Sequence, residues 1–241
     1  MEKMKIEIWS DIACPYCYIG KRKMEKALAA FPFSDQVEII WHSYELNPDL
    51  HKTGVDKPYS DYYAETFGLT ADKTNAALNK VANLAKEVGL DYHFEKLIAT
   101  NTSDALRLVK LAKKYNLATE AEEVLFKAYF TDGENIGDQS TLIRLGVGIG
   151  LPETEIVLLL NGDSFLDEIE KDIRRSEDIL GLEYIPFYLF NNRDKIEGSI
   201  ADDDYLKILT KAFDNWKING VSDVSGDFIS GQACSIDGKC D

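Results

Sequence analysis

The apolar and polar positions change period three times along the 241 residues. Residues 5–11 place Ile6, Ile8 and Trp9 beside charged residues, the mark of a short strand. From Pro15, a residue suited to the first turn of a helix, apolar and small residues recur at helical spacing: Ile19, Met24, Ala27, Leu28 and Phe31. Pro32 stops that helix, and residues 37–41 read as a second strand rich in β-branched side chains. Strand, helix, strand in that order predicts a parallel pair joined by a crossover.

A long, mostly helical stretch follows, over about residues 59–180. Helices are expected near 71–88, 102–115, 119–131, 138–148, 152–161 and 163–179, separated by Gly89, Asn116, Gly133, Gly150 and Gly162. The strand pattern returns at residues 185–190, turns at 191–194 and comes back over 195–199 as a hairpin. A last helix is expected over 202–216, with Asp202, Asp203 and Asp204 bringing negative charge to its N-terminus. The tail from Gly220, rich in Gly, Ser and Asp, reads as irregular. Neither the first nor the last β fragment closes a core alone, so the economical arrangement puts both in one sheet. The domains expected are 1–56 with 181–219 as one α/β unit, 57–180 as an inserted helical unit, and 220–241 as a tail.

Composition narrows the partners. A formal net charge of -15 argues against nucleic acid and anionic membrane surfaces, which attract basic patches. No stretch approaches the roughly 20 apolar residues of a membrane span, and the first residues lack a signal-peptide pattern, so a cytoplasmic location is expected. The four cysteines form two close pairs, Cys14 with Cys17 and Cys234 with Cys240. In a chain of this size they are not a disulfide scaffold, which leaves redox catalysis or metal binding.

Cys14-Pro15-Tyr16-Cys17 stands at the junction of strand and helix. A cysteine at a helix N-terminus meets unpaired N–H groups and the positive end of the dipole, both of which favour the nucleophilic thiolate. The dipole supplies up to ~2 kcal/mol, and one pKa unit is about 1.36 kcal/mol. It would therefore lower the Cys14 pKa by roughly one unit. Cys17, nearly one turn later, is placed to resolve a mixed disulfide. Pro15 fixes the first turn, and both Pro15 and Tyr16 are expected to face the substrate. This sulfur is expected to lie exposed. Zinc sites also use this spacing but need a second ligand pair at workable distance, and the other pair lies at the far end of the chain. No metal and no cofactor is expected; no glycine-rich phosphate motif is present. Glu7, on the first strand, is weighed as a proton acceptor for Cys17 against the blander alternative of a structurally paired or solvent-facing carboxylate. His42, His51 and His93 show no metal-ligand spacing, and Tyr62 and Tyr63 are expected in the core or a groove wall.

Several blocks together resemble the DsbA-like thioredoxin family, and within it the FrnE-like subgroup. They are residues 9–20 (WSDIACPYCYIG), residues 41–48 (WHSYELNP), Asn101-Thr102, Ala128-Tyr129-Phe130 with Gly133 and Ile136, and Ile185-Pro186-Phe187. The resemblance implies an α/β thioredoxin fold with a large helical insertion after the second strand. It implies thiol–disulfide oxidoreductase activity on proteins or small thiols such as glutathione, with Cys14 attacking and Cys17 resolving. It also implies that Pro186 is a cis-proline facing the cysteines and that the backbone of Ile185 pairs with an extended substrate. Gly181-Leu182-Glu183-Tyr184-Ile185 departs from the more usual Gly-Val-x-Gly-Val, and Gly198-Ser199-Ile200 from Gly-Ala-Gln, which bears on substrate preference.

The tail pair, Cys234 and Cys240, has three readings: a second redox pair exchanging electrons with Cys14 and Cys17, a short staple contributing ~2 kcal/mol, or two idle thiols. Two other functions compete with disulfide exchange. Related chromene-carboxylate isomerases and kappa-type glutathione transferases use glutathione without generally requiring two cysteines, and a non-enzymatic metal-binding protein would use the cysteines as ligands.

Overall fold

A computed structural model describes residues 2–220 and 226–235. Among the described residues five strands form one mixed sheet in the order β2-β1-β4-β5-β6. Strand β1 (Met4–Ser10) runs parallel to β2 (Val37–Ser43) and antiparallel to β4 (Phe187–Phe190). Strand β4 pairs antiparallel with β5 (Asp194–Glu197), so the first and last β fragments do share a sheet. Only Lys5 of β1 is exposed, because helices cover both faces of this strand; that is why its sequence is nearly continuous in apolar residues.

Helix α1 (Pro15–Ala30) crosses between β1 and β2 and packs beside α9 (Asp202–Asn219). The helical block comprises α2 (Tyr59–Phe67), α3 (Ala71–Glu87), α4 (Ser103–Lys113), α5 (Ala118–Lys127), α6 (Gln139–Gly148), α7 (Glu153–Leu160) and α8 (Leu166–Arg174). This is an α/β thioredoxin fold with a large helical insertion. Local chemistry sets the helix ends. The Thr70 hydroxyl accepts from the Lys73 amide to start α3, and Asp138 accepts from the Thr141 amide to start α6. Gly68 closes α2 in the left-handed conformation, which costs a glycine little.

The block is tied to the sheet by aromatic and charged contacts. Tyr18 of α1 stacks on Phe126 of α5 at 4.9 Å, and its hydroxyl donates to Glu123 at 2.8 Å. Trp41 of β2 donates to the Thr119 hydroxyl at 3.0 Å.

Several elements differ from the sequence expectation. The short helix α2 had no predicted counterpart. The helices expected over 119–131 and 163–179 each end in a wider π turn, Ala128–Asp132 and Arg175–Ile179. The run expected as one strand over 185–190 is split at Pro186, which has no N–H to give a ladder, into β3 (Tyr184–Ile185) and β4. The tail is not irregular throughout: β6 (Phe228–Ser230) adds in parallel to β5, and β7 (Cys234–Ser235) pairs antiparallel with β3.

Candidate active site

Cys14 caps the N-terminus of α1 in extended backbone, with Pro15 in the first turn. The turn that presents it is held by the Cys14 amide donating to the Asp11 carbonyl at 3.0 Å, and the Cys17 amide donating to the Cys14 carbonyl at 3.1 Å. Both cysteines are free thiols. The Cys14 thiol donates to the Ile185 carbonyl at 3.7 Å, so the start of α1 meets β3 across 171 residues of sequence. The Ile185–Pro186 peptide bond is cis.

Burial, the hydrogen bond with Cys14 and the charge of that neighbour push the Cys17 thiol well above the usual thiol range. Cys17 therefore holds its proton firmly while Cys14 is the sulfur at the helix terminus.

The expectation of an exposed Cys14 is corrected: it is 0% exposed and Cys17 1%. Pro15 and Tyr16, expected to face substrate, are buried as well. The helical block packs on this turn, with the Tyr92 hydroxyl donating to the Pro15 carbonyl at 2.7 Å. On the other side, β7 pairs with β3 beside the sulfur, Ile185 opposite Cys234. Ile185 is thus buried with a strand partner of its own. Cys234 is disulfide-bonded and buried, which removes its reading as an idle thiol; Cys240 lies outside the described residues.

Glu7 takes the structural alternative. Arg175 grips its carboxylate with both terminal nitrogens, one at 2.9 Å, and His42 Nε2 lies 2.8 Å from it. Burial opposes ionisation, but the hydrogen bonds from His42 and Arg175 and their charges outweigh it and bring the carboxyl down to about 2. A carboxylate held this way is a poor proton acceptor at neutral pH. The same network continues through His42 Nδ1 to Asp172 at 2.6 Å and on to Lys110, with His42 stacked on Trp9 at 4.3 Å.

Sequence reasoning missed Asp11. Its carboxylate accepts from the Ala13 amide at 3.2 Å and the Leu46 amide at 2.7 Å, joining the cysteine turn to the segment after β2. Burial raises its pKa to about 6 despite those bonds. The available signal was a charged residue in the run Ser10-Asp11-Ile12-Ala13 just before the cysteine. An aromatic cleft lined by Ala13, Leu46, Tyr59, Tyr62, Tyr63 and Tyr129 opens next to the same turn, so Tyr62 and Tyr63 do form a groove wall. Among the described residues no group of three or more His, Cys, Asp or Glu is placed to hold a metal ion, and no helix is long and apolar enough to cross a membrane.

Comparison with known proteins agrees with this architecture. Residues 5–210 match the model of the DSBA-like thioredoxin domain. The crystal structure of a probable DsbA oxidoreductase, SCO1869 from Streptomyces coelicolor, superposes with a TM-score of 0.82 at 31% identity, covering 99% of this chain and 98% of that one. The cytosolic disulfide reductase DsbM from Pseudomonas aeruginosa shares the fold at 14% identity and a TM-score of 0.59, over 87% of this chain and 98% of its own. The uncharacterized protein YwbO of Bacillus subtilis is 23% identical over 213 residues, 84% of this chain and 98% of that protein. With a matching family model over most of its length, a near-complete structural relative and the cysteine turn facing a cis-proline, this chain belongs to the DSBA-like thioredoxin domain family.

Proposed function

We propose that the protein is a FrnE-type thiol–disulfide oxidoreductase working through Cys14 and Cys17. The observation that carries this reading is the meeting of the Cys14 sulfur, at the start of α1, with the carbonyl of Ile185 next to cis-Pro186. In the exchange, the Cys14 thiolate attacks one sulfur of a substrate disulfide. A Cys14–substrate disulfide forms and the other substrate sulfur leaves as a thiolate. Cys17 then gives up its proton to that thiolate or to water and attacks the Cys14 sulfur. The second substrate sulfur leaves, the Cys14–Cys17 disulfide forms, and two electrons have passed to the substrate. Two molecules of an external thiol such as glutathione then reduce the pair to the dithiol and leave as their own disulfide. The raised pKa of Cys17 supports this order, since it delays the second attack until a basic leaving thiolate is present.

Because both sulfurs are sealed in the closed structure, exchange requires the cover over Cys14 to open. The substrates proposed are protein disulfides and small thiols. The disulfide at Cys234 is proposed as a second redox centre that exchanges with Cys14–Cys17; unchanged turnover in Cys234→Ser with every substrate and reductant would remove that role.

The test is trapping. Cys17→Ser should accumulate a mixed disulfide between Cys14 and an oxidised, disulfide-bonded substrate such as insulin, visible by mass spectrometry, while Cys14→Ser should form none. Insulin reduction should fall at least ~100-fold in Cys14→Ser, as expected when a nucleophile is removed. Retained insulin reduction in Cys14→Ser would sink the reading. Glutathione-dependent isomerisation that survives in Cys17→Ser would replace it with the isomerase alternative.

A further inference from the structure

The tail reaches the cysteine turn by a crossing that is built into the sequence on both sides. After β6, the Gly231 amide donates to the Glu197 carbonyl at 2.8 Å. Ser199 and Gln232 then exchange amide-to-carbonyl bonds at 2.6 and 3.0 Å. Two residues later β7 lies against β3, with Tyr184 opposite Ser235 and Ile185 opposite Cys234. The backbones touch at two glycines. Gly198 has a φ of +81°, and a Cβ there would sit 2.7 Å from the Gly231 carbonyl oxygen and 2.8 Å from that of Gln232. A Cβ on Gly231 would run into the Ser199 carbonyl and lie 2.8 Å from the Ile200 amide. Backbone atoms cannot swing aside as a flexible side chain can, so any side chain at either position forces the tail away. Ala233 and Cys234 are 2% and 0% exposed, so the segment is packed in rather than laid over the surface.

The edge it covers belongs to Ile185, whose carbonyl is the partner of the Cys14 thiol. Antiparallel partners stand about 4.5–5.5 Å apart at Cα, so a second strand has no room on that edge while β7 is docked. Main-chain pairing at a free sheet edge is a general way to hold an extended polypeptide.

We propose that residues 232–235 are an intramolecular occupant of the strand edge at which an extended polypeptide substrate docks, so that substrate and tail compete for β3. The inference rests on the disulfide-exchange reading of Cys14 and Cys17. With the tail in place the sulfur is closed; a polypeptide that pairs with Tyr184 and Ile185 displaces the tail and uncovers Cys14 in the same step. The occupant makes the site select for chains long enough to replace both strand pairings.

Two variants test this: a chain ending at Gly231, and Gly231→Val in the full chain. Far-UV circular dichroism verifies that each is folded. Both should alkylate at Cys14 with iodoacetamide at least tenfold faster than the unaltered protein, a readout that needs no exchange activity. Both should also show a KM for insulin at least fivefold lower. A synthetic peptide of residues 227–235 carrying Cys234→Ser should slow alkylation of the truncated chain and leave the full chain unaffected. In the unaltered protein, hydrogen exchange at residues 232–235 should quicken when a cysteine-free extended peptide is present at saturation. Alkylation rates within twofold of the unaltered protein in both variants, or tail amides that stay protected under bound peptide, overturn the proposal. Loss of insulin turnover in every form, with faster alkylation retained, leaves the tail displaced as proposed and places the failure in the exchange reading.

Discussion

Two buried carboxyls near the cysteine turn titrate in opposite directions, and the difference lies in what faces each. Glu7 has two cationic partners, Arg175 and His42, and falls to about 2. Asp11 has amide donors and the Thr102 hydroxyl but, among the described residues, no paired cation, and burial lifts it to about 6. An unfolded Glu titrates near ~4.3 and an unfolded Asp near ~3.9. Glu7 therefore adds stability above about pH 4.3 that drains away as the pH falls toward 2. Glu7→Gln should cost about 1–3 kcal/mol at pH 7, the cost of stripping a buried polar partner, and its Tm deficit should shrink at pH 2.5. For Asp11 the sign reverses. Between about pH 4 and 6 the folded chain holds a proton the unfolded chain has lost, so its contribution falls as the pH rises. Asp11→Asn should compare less favourably with the unaltered protein at pH 4 than at pH 7 in urea titrations. A variant whose relative stability moves the other way would refute the assigned environment. The cysteine pair was legible in sequence because its chemistry is local and distinctive, and Pro186 through the family resemblance. The state of Glu7 was not, since Arg175 is 168 residues away.

At the scale of elements, α1 is held at its start by the insertion rather than by a cap of its own: Cys14 makes no side-chain capping bond, and the Tyr92 hydroxyl reaches the Pro15 carbonyl instead. Tyr92→Phe should cost ~1 kcal/mol, typical of one intramolecular hydrogen bond, and should loosen the cysteine turn, seen as faster amide exchange at residues 14–17. Exchange unchanged there would mean that the sheet alone fixes the turn. Long amphipathic helices such as α3 and α4 were readable from their period, because repeated apolar positions sum over several turns. The nine-residue α2, dense in Tyr and polar residues, offers too little period to be seen. Strands β6 and β7 span three and two residues, and their pairing comes from partners far away in sequence.

Across the whole molecule, the sheet, α1 and the cis-proline loop converge at Gly20. A Cβ there would run into the Tyr188 hydroxyl, lie 3.2 Å from Pro186 Cγ and 3.2 Å from the Tyr205 hydroxyl of α9. Gly20→Val should therefore lift α1 from the sheet and cost about 1–3 kcal/mol by overpacking, measurable as a lower denaturant midpoint. It should also lengthen the Cys14–Ile185 approach and slow insulin reduction. Full stability in this variant would show that the helix has slack the close approach denies.

The sequence by itself determined most of the order of elements and the cysteine pair at a helix start, because period, turn chemistry and motif spacing are properties of short stretches; the proline that meets the pair was expected from the family resemblance. Only the tertiary structure decided that Cys14 is sealed, that Glu7 is locked in an ion network, and that the tail returns to pair beside Ile185. Those facts depend on which distant surfaces are brought within a few ångströms, and burial and pairing of that kind leave no periodic trace in the residues that undergo them.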